Sequence, residues 1–451
     1  MPRQNLHTLT IDKLVAGGFG LGRLANGMVV LVRYVLPGEK VLVQELERKK
    51  DYIYGTVREV LMPAPDRIEA PCPIYGRCGG CDLQHAASGA QLRLKKNILV
   101  DSLERSSGLF FFFFPWPVAD PLAAPAHFNY RQRLRLQVDA GGNYGFFQPE
   151  SHTVEPLLEC LIAKELLNAT LKKLQAQESF HDLLKHCNGF ELLFNPDEND
   201  IILLLHFLRK PRPTDSLLAA ELKNHIDNLA ALLMLVKGHG LYDPVVRTFG
   251  GNPPALAYTS TIKARGTPLI LSWEAGGFCQ VNLEQNSRLI ELVLEMVASG
   301  PHKSILDLYC GYGNFSLPAA QLAEEVIGFD AQNAAIRSGL RNARRLGIHN
   351  CSFAKKQVPD AVTDMLGAGH TFDTIILDPP RRGAPETVAK LPELGAEQII
   401  YISCNPSTLA RDLAVLSAAD YRLARIVPVD MFPQTHHLEA VALLKRSGSV
   451  Q

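Results

Sequence analysis

The chain has 451 residues, 47% of them hydrophobic and 20% charged, with Lys plus Arg equal to Asp plus Glu at 46 each. Length alone suggests two to three domains of ordinary soluble composition, and no stretch reaches the 18 or more apolar residues that a membrane span needs. The neutral balance excludes a basic chain that binds nucleic acid by bulk charge, so any RNA contact must be local. The polar start, Met1 to Asn5, lacks the apolar core of a secretion signal, and the expected compartment is the cytosol.

From Thr8 to about Met62, apolar and polar positions alternate between Gly17-Gly18, Asn26-Gly27 and Pro37-Gly38. This predicts a meander of short strands closing into a small barrel, a shape used by oligonucleotide-binding and protein-binding modules alike. Pro63-Ala64-Pro65 reads as a linker. Beyond it, Cys72, Cys78 and Cys81 have C-x5-C-x2-C spacing, which supplies three thiolates and needs a fourth from Cys160 or Cys187. Zinc and an iron-sulfur cluster suit such a set equally.

Leu83 to Gly108 has a helical period through Leu92, Leu94, Ile98, Leu99 and Leu103. Phe110 to Phe114 form an unbroken phenylalanine run, read as a buried strand or loop. From Asn129 to Trp273, strand-like runs (Leu134 to Val138, Ile201 to Phe207, Leu233 to Val236) accompany a helical stretch from Ala163 to Ala176, predicting a mixed α and β domain. Arg131, Arg133 and Arg135 alternate along one of these strands and share a face that could meet phosphates.

After Gly276 the pattern becomes strand, loop and helix in repetition, with strands at Ser304 to Leu308, Val326 to Phe329, Thr374 to Leu377 and Gln398 to Ile402. A parallel sheet with ligands at the carboxyl ends of its strands follows. Ile305 to Phe315 runs from a strand into a turn with Gly311 and Gly313. A dinucleotide fingerprint needs Gly or Ala at 316, where this chain has Ser316. Asp330, closing the next strand, suits ribose hydroxyls, and Asp378-Pro379-Pro380 makes a rigid turn at a strand end.

Cys404, in Ser403-Cys404-Asn405-Pro406, follows an apolar run downstream of these loops. If the cofactor is S-adenosylmethionine and not a dinucleotide, the thiol has one strong use, attack on C6 of a pyrimidine so that C5 can take a methyl group. Glu439, at the entrance to the apolar strand Ala440 to Leu444, suits the general base that later removes the C5 proton. An isolated cysteine titrates near 8.5, and no cation in the Ser-Cys-Asn-Pro run obviously lowers that value.

These motifs, with Phe278-Cys279-Gln280-Val281-Asn282 and His437 to Val441, resemble over essentially the full length the bacterial 23S ribosomal RNA (uracil-C5)-methyltransferases that carry a TRAM barrel and a [4Fe-4S] cluster. The resemblance implies an α/β multidomain chain: an OB-like TRAM barrel over 1–63, a central α+β domain with the iron-sulfur loop over 64–275, and a Rossmann-like class I methyltransferase domain over 276–451. It further implies that about 84–115 packs with the catalytic domain. Cys404 would be the nucleophile and Glu439 the base. Gln280, Tyr309, Asn314, Asp330, Gln357 and Asp378 would bind S-adenosylmethionine, and Cys72, Cys78, Cys81 and Cys160 the cluster. The expected partner is a loop or single strand of 23S ribosomal RNA, with no DNA and no membrane, and the protein is expected to be a monomer. Transfer RNA as substrate, an iron-sulfur oxidoreductase using nicotinamide, and a non-catalytic RNA-binding module are the alternatives.

Overall fold

The computed structural model describes residues 5–105, 116–250, 255–261 and 268–448. The chain divides into two compact units. One comprises Met1–Gly76, Gly80–Ala124 and Leu377–Gln451, and the other Arg77–Gly79 and Pro125–Ile376. The phenylalanine run and Gly108 lie outside the described residues.

In the first unit, β1 (Leu6–Val15), β2 (Phe19–Arg23), β3 (Val29–Val32), β4 (Lys40–Arg48) and β5 (Tyr52–Met62) form a closed barrel in the order β1-β2-β3-β5-β4. Its core follows the two-residue period of a strand: Leu9, Ile11, Val30, Val32, Val41, Val43 and Ile53 all point inward and are buried. The Asn26-Gly27 turn joins β2 to β3 as its sequence predicts, with Gly27 N donating to Leu24 O at 2.8 Å. Helix α1 (Ser88–Glu104) buries Leu94, Ile98, Leu99 and Leu103 along one stripe.

The second unit opens with β6 (Arg133–Val138), β7 (Tyr144–Phe147), β8 (Val154–Pro156), α2 (Glu165–Gln175), α3 (Glu178–Leu184), β9 (Cys187–Asn195), β10 (Asp200–Phe207), α4 (Pro213–His225), β11 (Leu229–Val236), β12 (Gly240–Asp243) and β13 (Thr248–Phe249). The strands make an eight-stranded sheet, β13-β12-β11-β10-β9-β6-β7-β8, in which β10 and β11 run parallel. Next come the hairpin β14 (Ala255–Thr261) and β15 (Pro268–Glu274), then α5 (Leu283–Ala298). The unit ends in an alternating run: β16 (Ser304–Leu308), α6 (Ser316–Ala319), β17 (Glu325–Asp330), α7 (Asn333–Leu346), β18 (Cys351–Lys355), α8 (Val358–Gly367) and β19 (Thr374–Leu377). Here β16, β17 and β18 pair in parallel as the pattern predicts.

The C-terminal part of the first unit holds α9 (Pro385–Val388), β20 (Gln398–Ser403), α10 (Pro406–Ala418), β21 (Tyr421–Val429) and β22 (Glu439–Arg446). Strand β22 lies between β20 and β21 and is antiparallel to both, so the parallel arrangement expected throughout does not extend to these strands. The chain turns back through residues 430–438 instead of crossing over through a helix, and that return forces antiparallel pairing. Among the described residues no helix is long and apolar enough to cross a membrane.

Candidate active site

Strand β20 is buried along its whole length and delivers Cys404 at its carboxyl end. Asn405 then caps α10, its side chain accepting from Ser407 N at 3.1 Å, and Pro406 occupies the first helical turn, where its missing N–H costs nothing. The register pairs Ser403 with Ala440. Cys404 directly follows Ser403 and Glu439 directly precedes Ala440, so both stand at the same end of the paired strands, close enough for the Glu439 charge to act on the thiol. Nucleophile and base candidates, distant in sequence, are thus neighbours through strand register.

The turn after β19 belongs to the same unit and is fastened to α10. Asn405 Nδ2 donates to Arg381 O at 3.1 Å, and Thr408 Oγ1 donates to the same oxygen at 3.2 Å. Buried Asp412 accepts from Tyr401 Oη at 2.6 Å and Ala384 N at 2.9 Å. A Cβ at Gly383, where φ is +73°, would meet Arg411 Nη2 at 2.5 Å and Asp412 Oδ2 at 2.6 Å. Only glycine allows the turn this close to the helix.

Electrostatics bind Asp378, Arg381, Cys404 and Glu439 into one group. Burial pushes the Cys404 thiol up to about 12, the carboxylates of Glu439 and Asp378 add to the rise, and Arg381 opposes it. Burial also raises Asp378 to about 7 and holds Glu439 well above the ordinary carboxylate range, where the Asp378 charge adds to the effect and Arg381 again opposes it. Glu439 is 5% exposed, and among the described residues its Oε2 has no hydrogen-bond partner. A buried oxygen without a partner is costly in a resting protein, and it suits a group whose partner arrives with substrate. No cation neighbours Cys404 in the sequence; Arg381, in the turn after β19, supplies one from a distant position.

His437 is buried and its ring is pushed down to about 4, by burial first and then by the charges of His436 and Arg381. It is therefore neutral at pH 7.

The cofactor candidates of the second unit gather at the carboxyl ends of adjacent parallel strands. Tyr309 follows β16, Asp330 ends β17, and Gln357 follows β18 and caps α8. Asp330 Oδ2 accepts from Gly311 N at 3.1 Å and its Oδ1 from Gln332 N at 2.7 Å, so the carboxylate orders the glycine turn. A Cβ at Gly313, with φ +89°, would meet Leu317 at 2.7 Å and Phe353 at 2.9 Å. Tyr309 has a left-handed φ of 65° without being glycine, a strained conformation of the kind that clusters at ligand sites. These features fit a nucleoside-bearing cofactor.

Asn314 is 7% exposed and engaged with Asn286 through two side-chain hydrogen bonds of 2.9 and 3.0 Å. Gln280 is also 7% exposed, and its carbonyl accepts from Gln132 Nε2 at 2.6 Å. Asp378 falls in the first unit, with Cys404 and Glu439.

Two sequence expectations fare differently. Arg133 donates to Glu191 at 2.6 Å and to Gly277 O at 3.0 Å, Arg131 donates to Arg133 O, and Arg135 lies 3.7 Å from Glu191. Arg133 thus spends its charge inside the fold, while Arg135 stays exposed. Of the proposed cluster ligands, Cys72 and Cys81 belong to the first unit, Cys78 and Cys160 to the second. Among the described residues no group of three or more His, Cys, Asp or Glu side chains is placed to hold a metal ion. A [4Fe-4S] cluster on these cysteines is thus not supported by the described residues. Cys187, the alternative ligand, is buried in apolar surroundings that push its thiol up to about 12.

A family model described as tRNA (Uracil-5-)-methyltransferase matches residues 257–447. The 23S rRNA (uracil(1939)-C(5))-methyltransferase RlmD of Pectobacterium atrosepticum is 33% identical over 98% of this chain and 94% of its own length. An uncharacterized RNA methyltransferase of Thermotoga maritima is 33% identical over 98% of this chain and 99% of its own. Among solved structures, the Pyrococcus abyssi tRNA (uracil-54, C5)-methyltransferase in complex with S-adenosyl-L-homocysteine is similar in fold, with a TM-score of 0.71 at 24% identity, covering 97% of this chain and all of that one. With near full-length identity to such relatives, the chain belongs to the S-adenosylmethionine-dependent RNA (uracil-C5)-methyltransferase family.

Proposed function

We propose that the protein methylates C5 of a uridine in 23S ribosomal RNA, in the cytosol, through a covalent adduct on Cys404. The single observation that carries this reading is that Cys404 and Glu439 flank the paired residues Ser403 and Ala440 at one end of β20 and β22, where the Glu439 charge acts on the thiol. Bound S-adenosylmethionine supplies an electrophilic methyl group. Cys404, its thiol proton lost to solvent, would add to C6 of the uracil, giving C5 the electron pair with which it takes the methyl as the methyl's bond to the sulfonium sulfur breaks and that sulfur leaves as a neutral thioether. Glu439 then accepts the C5 proton; the C5–H electrons re-form the C5–C6 double bond, and the bond from Sγ to C6 breaks, returning the thiolate. The ring faces of a stacked base are covered, so the uridine must leave its stack to be attacked.

Gln280, Tyr309, Asn314, Asp330, Gln357 and Asp378 are assigned to the cofactor, supported by three strand ends and the glycine turn. The closed five-stranded barrel is read as a TRAM module that helps hold RNA, and the ribosomal substrate rests on the RlmD relatives. Mapping 5-methyluridine in ribosomal RNA from a strain lacking this protein tests the substrate. For the mechanism, Cys404→Ala should abolish transfer, and Glu439→Gln should trap a denaturation-stable protein–RNA adduct. Wild-type transfer by Cys404→Ala refutes the covalent route. No step needs the cysteine set; iron and sulfide determination on anaerobically purified protein decides whether the expectation from its spacing holds.

A further inference from the structure

Residues 430–438 connect β21 to β22 and lead directly into Glu439. Their path is unusual for a loop: Asp430, Gln434 and Thr435 are buried, and Gln434 has φ 71° without being glycine. Such a conformation persists only when its surroundings over-determine it.

The surroundings come from residues 82–91, at the end of the cysteine segment and the start of α1. Asp82 N and Leu83 N both donate to Gln434 O, at 3.1 and 3.0 Å. Gln91 and Gln434 exchange two hydrogen bonds, Nε2 to Oε1 at 3.0 Å and backbone N to Oε1 at 2.9 Å. Asp82 then takes both donors of His436: Oδ1 accepts from the backbone N–H at 2.7 Å, and Oδ2 makes a short contact with Nδ1. The two side chains are only 13% and 18% exposed. On their other side Gly18 of the barrel approaches so closely that a Cβ there would lie 2.8 Å from His436 Nδ1 and 2.9 Å from Asp82 Oδ2.

We propose that Asp82 is a positioning residue for Glu439: it fixes the backbone at His436, three residues before the base, and so sets where the carboxylate meets C5. The proposal rests on the assignment of Glu439 as the base. A carboxylate suits the task because it accepts from the backbone and the ring together, holding the segment at two points. The consequence is specific. Among the described residues Asp82 makes no hydrogen bond to Cys404, so its loss should spare adduct formation and methylation and slow the proton removal that follows.

The test uses the full-length, anaerobically purified enzyme with a uridine-bearing ribosomal RNA fragment. Asp82→Ala should lower kcat about 10- to 100-fold, the range expected when a catalytic group is displaced by about 1 Å, while KM for S-adenosylmethionine stays unchanged. It should accumulate the same denaturation-stable RNA adduct as Glu439→Gln. Asp82→Asn, which keeps one acceptor, should fall between wild type and Asp82→Ala. Hydrogen exchange in Asp82→Ala should accelerate at the amides of residues 434–441 and not in the barrel strands. Wild-type kcat with wild-type exchange over 434–441 overturns the proposal, as does lost activity with exchange raised throughout the barrel and no adduct. If Glu439→Gln itself forms no adduct, the assignment of the base fails, and the exchange pattern alone decides whether Asp82 fixes this segment.

Discussion

Lys95 Nζ lies 2.5 Å from Asp430 Oδ1, and each side chain is only 2% exposed. The ammonium also donates to Phe432 O at 2.9 Å. Burial lowers the Lys95 pKa, and the Asp430 charge opposes that fall. A pair this deep gains little over an apolar pair of the same shape, yet breaking it strands a charge. Lys95→Met should therefore destabilise the protein by about 3–5 kcal/mol, whereas Lys95→Met with Asp430→Leu should recover most of that loss. Urea unfolding of the two variants checks this, and equal stability of single and double variants contradicts it.

The Cys404 thiol, pushed up to about 12 by burial and by Glu439 and Asp378, is almost entirely protonated at pH 7 in the free enzyme. Below its pKa the thiolate fraction rises tenfold per pH unit, so alkylation of Cys404 by iodoacetamide should climb by about that factor per unit from pH 7 to pH 10. Arg381→Ala should slow alkylation at each pH, and Asp378→Asn should speed it. Peptide mass spectrometry reads Cys404 separately from the other thiols; a plateau near pH 7 excludes the raised value.

Glu439 gives a linkage effect of definite sign. Its folded-state pKa is raised by burial above the unfolded value, so the folded form binds the proton more tightly, and its contribution to stability is present at low pH and lost as pH rises. Glu439→Gln should raise Tm, by roughly 2–4 °C for each kcal/mol recovered, and by more at pH 9 than at pH 5. Thermal unfolding at both values tests it; a lower Tm at pH 9 than wild type runs against the argument.

Gly18 and Gly38 form a paired control. Both have positive φ, +74° and +86°, but a Cβ at Gly38 meets nothing within 4 Å while one at Gly18 meets His436 and Asp82. Gly38→Ala should cost only the conformational strain, about 1 kcal/mol. Gly18→Ala should cost more and also lower kcat. Equal effects on stability and turnover would show that the contact at Gly18 is unimportant.

The legible parts of this protein were those written in neighbouring residues. Alternation and Asn26-Gly27 gave the barrel, and the spans Ser304 to Leu308 and Thr374 to Leu377 matched their strands. Cys404 and Glu439 stood out because each sits beside a recognisable strand end. What stayed hidden depends on contacts across long separations: Asp82 and His436 are 354 positions apart, and the pairing of β22 between β20 and β21 follows from a return path that composition does not encode. Arg131, Arg133 and Arg135 erred the other way. Arg133 and Arg135 share a strand as their spacing implies, but Glu191, buried on the neighbouring strand, takes the charge of Arg133 and lies 3.7 Å from Arg135.

The antiparallel pairing of β20 and β22 makes activity a report on folding accuracy. In a strand, a slip of one residue turns every side chain to the opposite face, so Glu439 would exchange its view of Cys404 for the other side of the sheet. A chain mispaired in this way could remain compact, since both strands are apolar on their two faces. Methyl transfer can thus detect a folding error that bulk probes such as circular dichroism would pass over.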